Sequence, residues 1–261
     1  MGVLNVTPDS FSDGGRYFAP DAAIRHGLEL IDQGADLLDI GGESTRPGSD
    51  PVPAAEEWRR IGPVIRYLAA KVSVPISVDT MKPDVAGKAM ESGASIVNDV
   101  SGLQDPAMVR LVASTRAGVV AMHMLGNPKT MQDQPRYRDV VGEVRSFLAD
   151  RIRTLESAGV ASEAVAIDPG VGFGKSVEHN LALLRHLDAL AALGHPVVVG
   201  VSRKSFIERI AGGEPGDRLP GSLAAATIAV AKGAHVVRAH DVRETVQAVR
   251  IADRILRGEK L

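Results

Sequence analysis

Polar side chains follow a series of short apolar segments along this chain, at the point where each segment ends. They are Asn5, Asp39, Asp79, Asn98, Asp99, His123, Asp168, Lys204, Arg238 and His240. Carboxylates and amides match the donors and acceptors of a nitrogen-rich heterocycle, whereas Lys and Arg suit a phosphate group. A partly desolvated polar group must be paired or must bind a ligand. The pattern therefore predicts a site for a heterocycle that carries an anionic group.

The apolar segments that precede these side chains have the composition of buried parallel strands. They are short, rich in β-branched residues and apolar on both faces. They cover residues 3–6, 37–40, 76–78, 96–97, 119–122, 165–167, 197–201 and 236–237. Helical segments lie between them, and several end at a glycine that can adopt the left-handed conformation: Gly34, Gly93, Gly159 and Gly233.

Alternating β and α segments in a chain of 261 residues predict a (β/α)₈ TIM barrel. Such a barrel gathers the carboxyl ends of all its strands on one face, which places the active site there. No interdomain linker is visible, so we expect a single domain over residues 1–261. The alternative is an open doubly wound sheet. That fold prefers a glycine-rich phosphate fingerprint after the first strand, and residues 5–8, Asn-Val-Thr-Pro, do not provide one.

Composition excludes several classes of protein. The net charge is −2, from 30 Lys and Arg against 32 Asp and Glu, which argues against a general nucleic-acid binder. The absence of cysteine excludes disulfides, thiolate metal sites and a cysteine nucleophile. No apolar run reaches membrane-spanning length, and no signal peptide is visible. We therefore expect a cytoplasmic protein that binds neither membranes nor nucleic acids.

Two long loops and one glycine-rich segment need an interpretation. Residues 7–16 and 44–49 follow the first two strands, and long loops at a barrel mouth are often lids, although they could also be ordinary surface loops. Residues 169–176 resemble a P-loop that ends in Gly-Lys-Ser, but Pro169 stands where that motif needs glycine. We interpret this segment as a loop that lets the backbone approach a flat ligand, with Phe173 as a packing surface.

Residues 5–15 and 41–48 resemble the two signature segments of the dihydropteroate synthase family. The resemblance continues in order through residues 77–80, 98–99, 122–124, 168–170, 200–205 and 238–241, so it covers essentially the whole chain. It implies condensation of (7,8-dihydropterin-6-yl)methyl diphosphate with 4-aminobenzoate, which yields 7,8-dihydropteroate and pyrophosphate in folate biosynthesis. Because sulfonamides resemble aminobenzoate, we expect them to compete with that substrate. The resemblance also implies a homodimer.

The resemblance also implies roles for individual residues of this sequence. The implied pterin-binding set is Asp79, Asn98, Asp168 and Lys204. The implied ligand of a Mg²⁺ ion that holds the diphosphate is Asn5. The implied anion-binding residues are Arg46, Arg238 and His240. The implied aminobenzoate pocket consists of Thr45, Pro47, Phe173, Lys204 and Ser205, and the implied lid residue is Phe11. The residues expected to act in catalysis are Asp79, Lys204, Arg238 and Phe11.

The chemistry of this reaction is compatible with those residue types. Negative charge develops on the departing diphosphate and can be met by Mg²⁺ and by cationic side chains. The methylene carbon that remains is conjugated to the electron-rich pterin, so we expect a dissociative, cation-like path. A buried carboxylate at Asp79 can stabilise that positive charge. The arylamine is barely basic, so the reaction does not require a strong general base.

Some polar residues have a structural interpretation, and other functions stay open. We expect Asp39 and Glu43 to hold loops by hydrogen bonds, and His123 to be a satisfied core histidine. One alternative function is a pterin-dependent methyltransferase domain, which would need no cations for pyrophosphate. Another is a non-catalytic pterin-binding barrel.

Overall fold

The computed structural model describes residues 1–7, 20–45 and 48–258, and eight parallel strands form its inner layer. The strands are β1 Gly2–Asn5, β2 Leu38–Gly41, β3 Ile76–Asp79, β4 Ile96–Asp99, β5 Gly118–Met122, β6 Val165–Asp168, β7 Val198–Gly200 and β8 Val236–Arg238. All eight predicted strands are confirmed close to their predicted bounds. They form because short β-branched segments can be buried on both faces only in a sheet that is covered on both sides.

The strands close into a ring. Neighbouring strands pair in parallel from β1 to β6, and β7 pairs with β8. An isolated bridge between Ile167 and Val197 joins the two groups on one side. On the other side the Val3 N–H donates to the Ala239 carbonyl at 3.0 Å, and the Ala239 N–H donates to the Met1 carbonyl at 3.0 Å. The predicted barrel is therefore confirmed, and the open-sheet alternative is wrong because β8 bonds back to β1.

Strand register aligns the polar residues at the carboxyl end of the barrel. Asn5 pairs with Gly41, Gly41 with Asp79, and Asp79 with Asn98 across four consecutive strands. Met122 pairs with Asp168 in the same way on β5 and β6, and Gly200 pairs with Arg238 on β7 and β8. Residues far apart in the chain thus meet at one rim, as expected for a parallel barrel.

Helices form the outer layer of the barrel. They are α1 Pro20–Asp32, α2 Ala54–Ala69, α3 Pro83–Glu91, α4 Pro106–Thr115, α5 Val140–Ser157, α6 Val177–Arg185, α7 Asp188–Ala191, α8 Ser205–Ala211, α9 Leu219–Ala231 and α10 Val242–Arg257. Short 3₁₀ turns cover Ser162–Ala164 and Pro215–Arg218. Along the described ranges, no helix combines the length and the apolar composition needed to cross a lipid bilayer.

The predicted glycine helix ends are confirmed by the backbone. Gly34, Gly93, Gly159 and Gly233 have φ angles of +100°, +102°, +94° and +103°. L-residues rarely adopt this conformation, whereas glycine does so without a steric penalty. At Gly93 space is limiting as well, because an added Cβ would lie 2.6 Å from the Ala69 Cβ. These turns return the chain to the amino end of the next strand.

Two apolar clusters support the barrel. The larger one fills the space between strands and helices and includes Leu4, Ile40, Val78 and Ile167, all essentially inaccessible to solvent. A smaller cluster lies at the carboxyl ends of β4 and β5. Its members are Val100, Met122, Met124 and Met131, with Met81 and Phe173 packed against them. The smaller cluster places apolar side chains next to the polar residues at the rim.

Candidate active site

A cleft opens at the carboxyl ends of the strands. It has a volume of about 350 Å³, including space open to solvent. Sequence-predicted site residues make up much of its lining: Thr45, Asp79, Asn98, Asp168, Phe173, Lys204 and Arg238. Val100 and Met122 contribute apolar walls. The cleft therefore combines buried charge with flat apolar surface, which is the combination that a heterocyclic ligand needs.

The Arg238 guanidinium connects two buried carboxylates. Its Nε donates to Asp39 Oδ2 at 2.6 Å, and its Nη2 donates to Asp79 Oδ2 at 2.9 Å. The Asn98 Nδ2 donates to the same Asp39 oxygen at 3.1 Å. Strands β2, β3, β4 and β8 are thus linked by one polar network beneath the cleft. Such a network fixes the orientation of Arg238 and Asn98 before any ligand binds.

The expectation that Asp39 holds a loop is wrong. Asp39 lies within β2, is fully buried, and bonds to Arg238 and Asn98 instead of to a loop. Sequence reasoning missed its contribution to the site. A signal was present, because an acid in the middle of a buried apolar strand requires a cation partner.

Burial shifts the ionisation of this network. Burial, reinforced by the neighbouring Asp39 carboxylate, raises the pKa of Asp79 to about 7 in spite of Arg238. Burial opposes the charged form of Arg238 as well, but Asp39 and Asp79 outweigh it and raise the pKa of Arg238. Within the described residues, one oxygen of Asp39 and one of Asp79, both named Oδ1, are buried without a hydrogen-bond donor. Buried acceptors without donors are costly, so they favour a ligand that brings N–H groups.

Asp168 presents a second buried carboxylate at the end of β6. Its Oδ1 accepts the Gly170 N–H at 2.7 Å. Burial raises the pKa of Asp168, and the Gly170 N–H and the Lys204 and Arg238 charges oppose that rise. The turn that follows the strand requires glycine, because Gly170 has a φ of +67° and an added Cβ would lie 1.9 Å from the His123 carbonyl oxygen.

Lys204 faces both the carboxylates and an aromatic ring. Its Nζ lies 4.1 Å from the centroid of the Phe173 ring, a cation–π contact. Burial, together with the Arg238 charge, lowers the pKa of Lys204 to about 8. The preceding Arg203 has a φ of +57°, so the chain turns sharply between β7 and α8. The exposed Ser205 is the first residue of α8, next to Lys204.

His240 and Asn5 lie beside the cleft and not in its lining. His240 Nδ1 lies 3.0 Å from Ser202 Oγ, and burial together with Arg238 lowers the pKa of His240 to about 4. The imidazole is therefore neutral at pH 7. Asn5 is half-buried at the end of β1, next to Gly41 in the strand register.

The loop that carries Thr45 is held by ion pairs with Lys82. Lys82 Nζ donates to Glu57 Oε2 at 2.5 Å and also to Glu43 Oε2. Burial raises the pKa of Glu57, an effect that its bond to Lys82 opposes. Glu43 therefore holds its loop, as expected from the sequence. The predicted residues Phe11, Arg46 and Pro47 lie outside the described residues.

The expected Mg²⁺ ion has one predicted protein ligand, Asn5, at the end of β1. No cluster of three or more His, Asp or Glu side chains occurs in the described part of the chain. Mg²⁺ often takes only one or two protein oxygens and completes its shell with phosphate oxygens and water. The Asn5 amide oxygen at the rim can be such a ligand.

Comparison with known proteins assigns this chain to a family. The family of pterin binding enzymes matches residues 1–240. The dihydropteroate synthase of Escherichia coli strain K12 is 46% identical over 260 residues, which are 100% of this chain and 92% of that protein. The chain belongs to the dihydropteroate synthase family. The resemblance identified in the sequence is thereby confirmed.

Solved structures of dihydropteroate synthases share the fold over nearly the whole chain. The Xanthomonas albilineans enzyme with 4-aminobenzoic acid has a TM-score of 0.92 at 49% identity, and the match covers 97% of this chain and 91% of that chain. The Yersinia pestis enzyme in a sulfonamide drug complex has a TM-score of 0.93 at 43% identity, and the match covers 99% and 93%. These relatives are synthases, which favours synthase activity over the methyltransferase alternative.

Proposed function

We propose that this chain joins a pterin methyl diphosphate to 4-aminobenzoate in the strand-end cleft, and that it forms 7,8-dihydropteroate and pyrophosphate. The observation that carries the proposal is the meeting of Asp79, Asn98, Asp168, Lys204 and Arg238 in one cleft. Chains of this family whose structures contain aminobenzoate or dihydropteroate support the same substrates here. The whole chain, residues 1–261, is proposed to act as one pterin-binding domain.

The pterin ring would bind to the buried carboxylates and the amide. Asp168 can accept two N–H donors from one edge of the ring, and Asn98 can both donate and accept. The Asp79 Oδ1, which lacks a donor and belongs to a residue of the cleft lining, supports this placement. Val100 and Met122 would pack against the faces of the ring. The ring N–H groups would donate hydrogen bonds to buried carboxylate oxygens that otherwise lack donors.

The diphosphate would leave toward the cations at the rim. Arg238 uses Nε and Nη2 for Asp39 and Asp79, which leaves Nη1 to donate to a phosphate oxygen. Arg46 and the neutral His240, through an N–H, would add further donors. When bound by Asn5, Mg²⁺ would neutralise charge on the diphosphate.

The reaction would then proceed by separation of charge. As the C–O bond to diphosphate breaks, positive charge spreads from the methylene carbon into the ring. Asp79 in its carboxylate form would stabilise this charge, since a fixed charge in a desolvated site requires no reorganisation. The arylamine nitrogen attacks the carbon, and its proton can pass to solvent afterwards.

The aminobenzoate would lie over the Phe173–Lys204 pair. The ring of Phe173 offers an apolar face, and Lys204 and Ser205 offer donors for the carboxylate of the substrate. Thr45 and Pro47 would complete the pocket, and Phe11 would act as a lid residue. A sulfonamide should therefore compete with aminobenzoate.

A homodimer is proposed through the two last helices. Large apolar side chains of α9 and α10 are exposed: Ile228 at 54%, Ile251 at 65%, Ile255 at 75% and Leu256 at 54%. An exposed apolar patch of this kind often marks an interface. Sedimentation of Ile255→Glu should show a shift toward the monomer, and an unchanged mass would contradict this interface. A cytoplasmic location stays a prediction, which cell fractionation would test.

A coupled assay for pyrophosphate release tests the proposed function. We expect release only when the pterin diphosphate and 4-aminobenzoate are both present, and much faster release with Mg²⁺ than with a chelator. No release with both substrates and Mg²⁺ would favour the non-catalytic barrel. Release without the arylamine would contradict a condensation.

A further inference from the structure

The glycine-rich loop between β6 and α6 contains a lysine that does not face the cleft. Lys175 is only 3% exposed, although it occupies the lysine position of the segment that resembles a P-loop. Its Nζ lies 3.0 Å from His123 Nδ1, 3.3 Å from the His123 carbonyl oxygen and 2.9 Å from the Phe173 carbonyl oxygen. These contacts leave no donor for a phosphate, so the likeness to a P-loop has no functional counterpart.

Three acceptors match the three protons of an ammonium group. His123 is buried, and burial together with Lys175 lowers the pKa of His123 to about 3, so its imidazole is neutral and can accept at Nδ1. The centroid of its ring lies 5.0 Å from that of Phe147 in an edge-on arrangement. His123 is therefore a core histidine, as expected. Burial lowers the pKa of Lys175 to about 7, with Asp168 opposing the shift and Lys204 adding to it. The acceptors around Lys175 Nζ are thus all neutral.

Two further contacts of this loop lie on either side of Phe173. The Gly172 N–H donates to Asn180 Oδ1 at 2.8 Å, and Tyr137 Oη donates to the Gly174 carbonyl at 2.9 Å. The Phe173 N–H donates to the Gly170 carbonyl at 3.0 Å within the loop, whereas the Phe173 carbonyl accepts from Lys175, whose Nζ also contacts His123 outside the loop. The same ammonium bonds to the residue after β5, and therefore ties Phe173 to the barrel wall.

We propose that Lys175 is a positioning residue that clamps the Phe173 backbone to the end of β5, and thereby keeps the Phe173 ring against Lys204 for the arylamine substrate. This inference rests on the proposed function of the Phe173–Lys204 pocket. It affects the two substrates unequally, because Asp79 and Asn98 lie on strands away from the loop and Asp168 contacts only its first turn at Gly170, whereas Phe173 lies on the clamped segment itself. Loss of the clamp should therefore affect aminobenzoate more than pterin.

The test is Lys175→Met, which keeps the length and the apolar stem of the side chain and removes its donors. We expect the KM for 4-aminobenzoate to rise about tenfold. The Kd for the pterin diphosphate, measured by calorimetry, should change by less than about twofold. Lys175→Gln keeps amide donors and should give an intermediate KM. The matched control is Lys88→Met on the exposed side of α3, which should leave both constants unchanged.

A purely structural role would lower the fraction of active enzyme and leave both constants unchanged. Unchanged constants in Lys175→Met, or equal weakening of both substrates, would overturn the proposal. If Lys175→Met fails to fold, the Gln variant decides by the same comparison of KM and Kd. Failure of the proposed function is distinguishable, because the unmodified chain and Lys88→Met would then release no pyrophosphate either.

Discussion

The strand-end cleft and a lateral groove along α10 differ in volume and in the burial of their charged groups. The lateral groove is bounded by Met1, residues 34–37, the end of α9, β8 and the inner side of α10, and has a volume of about 1070 Å³, including space open to solvent. The strand-end cleft is smaller, at about 350 Å³. Of these two regions, the one that we propose as the site is therefore the smaller in volume.

The charged groups of the two regions differ in their exposure to solvent. In the lateral groove, valines and alanines dominate, and Arg257 pairs with Asp253 in solvent at 2.8 Å. At the cleft, Asp79 in the lining and Asp39 beneath it share the Arg238 guanidinium, and one oxygen of each is buried without a donor in the described structure. Desolvated charge with unmet hydrogen-bonding capacity marks a functional site more reliably than empty space does.

Removing one cation from each region should give the largest difference in the free energy of unfolding. Arg238→Gln removes the cation that pairs with the buried Asp39 and Asp79, so we expect a loss of about 3–5 kcal/mol in the free energy of unfolding. Arg257→Gln, in the exposed pair of the lateral groove, should change it by less than about 1 kcal/mol. Urea unfolding measures both free energies. Similar losses in the two variants would contradict the claim that the buried charges of the cleft differ in energy from the exposed pair of the groove.

Lys204 should matter mainly for turnover. Lys204→Ala removes a cation that is fixed beside the reacting groups, so kcat should fall about 10²–10³-fold with the fold intact. Lys232→Ala, on the exposed end of α9, is the control and should retain normal turnover. Near-normal turnover of Lys204→Ala in the pyrophosphate assay would remove Lys204 from the catalytic set.

Asp168 should matter mainly for pterin binding. Asp168→Asn replaces a charged acceptor by a neutral one, and we expect a loss of about 1.5–3 kcal/mol in binding free energy for the pterin diphosphate. Asp36→Asn in the lateral groove should leave that affinity unchanged. Calorimetry that shows equal affinities for the two variants would contradict the assigned pterin edge.

The raised pKa of Asp79 predicts a pH-dependent stability. The folded chain holds the Asp79 proton between about pH 4 and about pH 7, because burial, with Asp39, Glu57 and Asp99 adding and Arg238 opposing, raises its pKa from 3.8 to about 7. Raising the pH through this window therefore lowers the free energy of unfolding.

The variant Asp79→Asn should flatten this slope by up to about 1.4 kcal/mol per pH unit. Urea unfolding across the window measures the slope, with Asp84→Asn on the exposed side of α3 as the control. The same slope in the wild type and in Asp79→Asn would exclude a raised pKa for Asp79.

Much of the fold could be predicted from the sequence because local signals and the global fold agree. Each predicted strand is an apolar segment with a polar residue at its carboxyl end, and parallel pairing places those ends together. Gly34 and Gly233 mark helix ends that only a residue without a side chain can form easily. The same alignment explains why Asp79, Asn98 and Asp168 could be assigned to one rim.

Two features of the site could not be predicted because they depend on distant contacts. The partner of Asp39 is Arg238, which is 199 positions away in the sequence and on a strand that is not adjacent to β2. The inward direction of Lys175 follows from a loop in which Gly170, Gly172 and Gly174 all have positive φ angles. No local pattern encodes either contact, and no role for Lys175 was predicted from the sequence.

A crystal structure of the protein soaked with the pterin diphosphate would test the central claim most directly. We predict electron density for the ring in the strand-end cleft, with its N–H edge within hydrogen-bond distance of Asp168 and the diphosphate beside Arg238. Density for the ring in the lateral groove, or at any site that Asp79, Asp168 and Arg238 do not touch, would contradict the assignment.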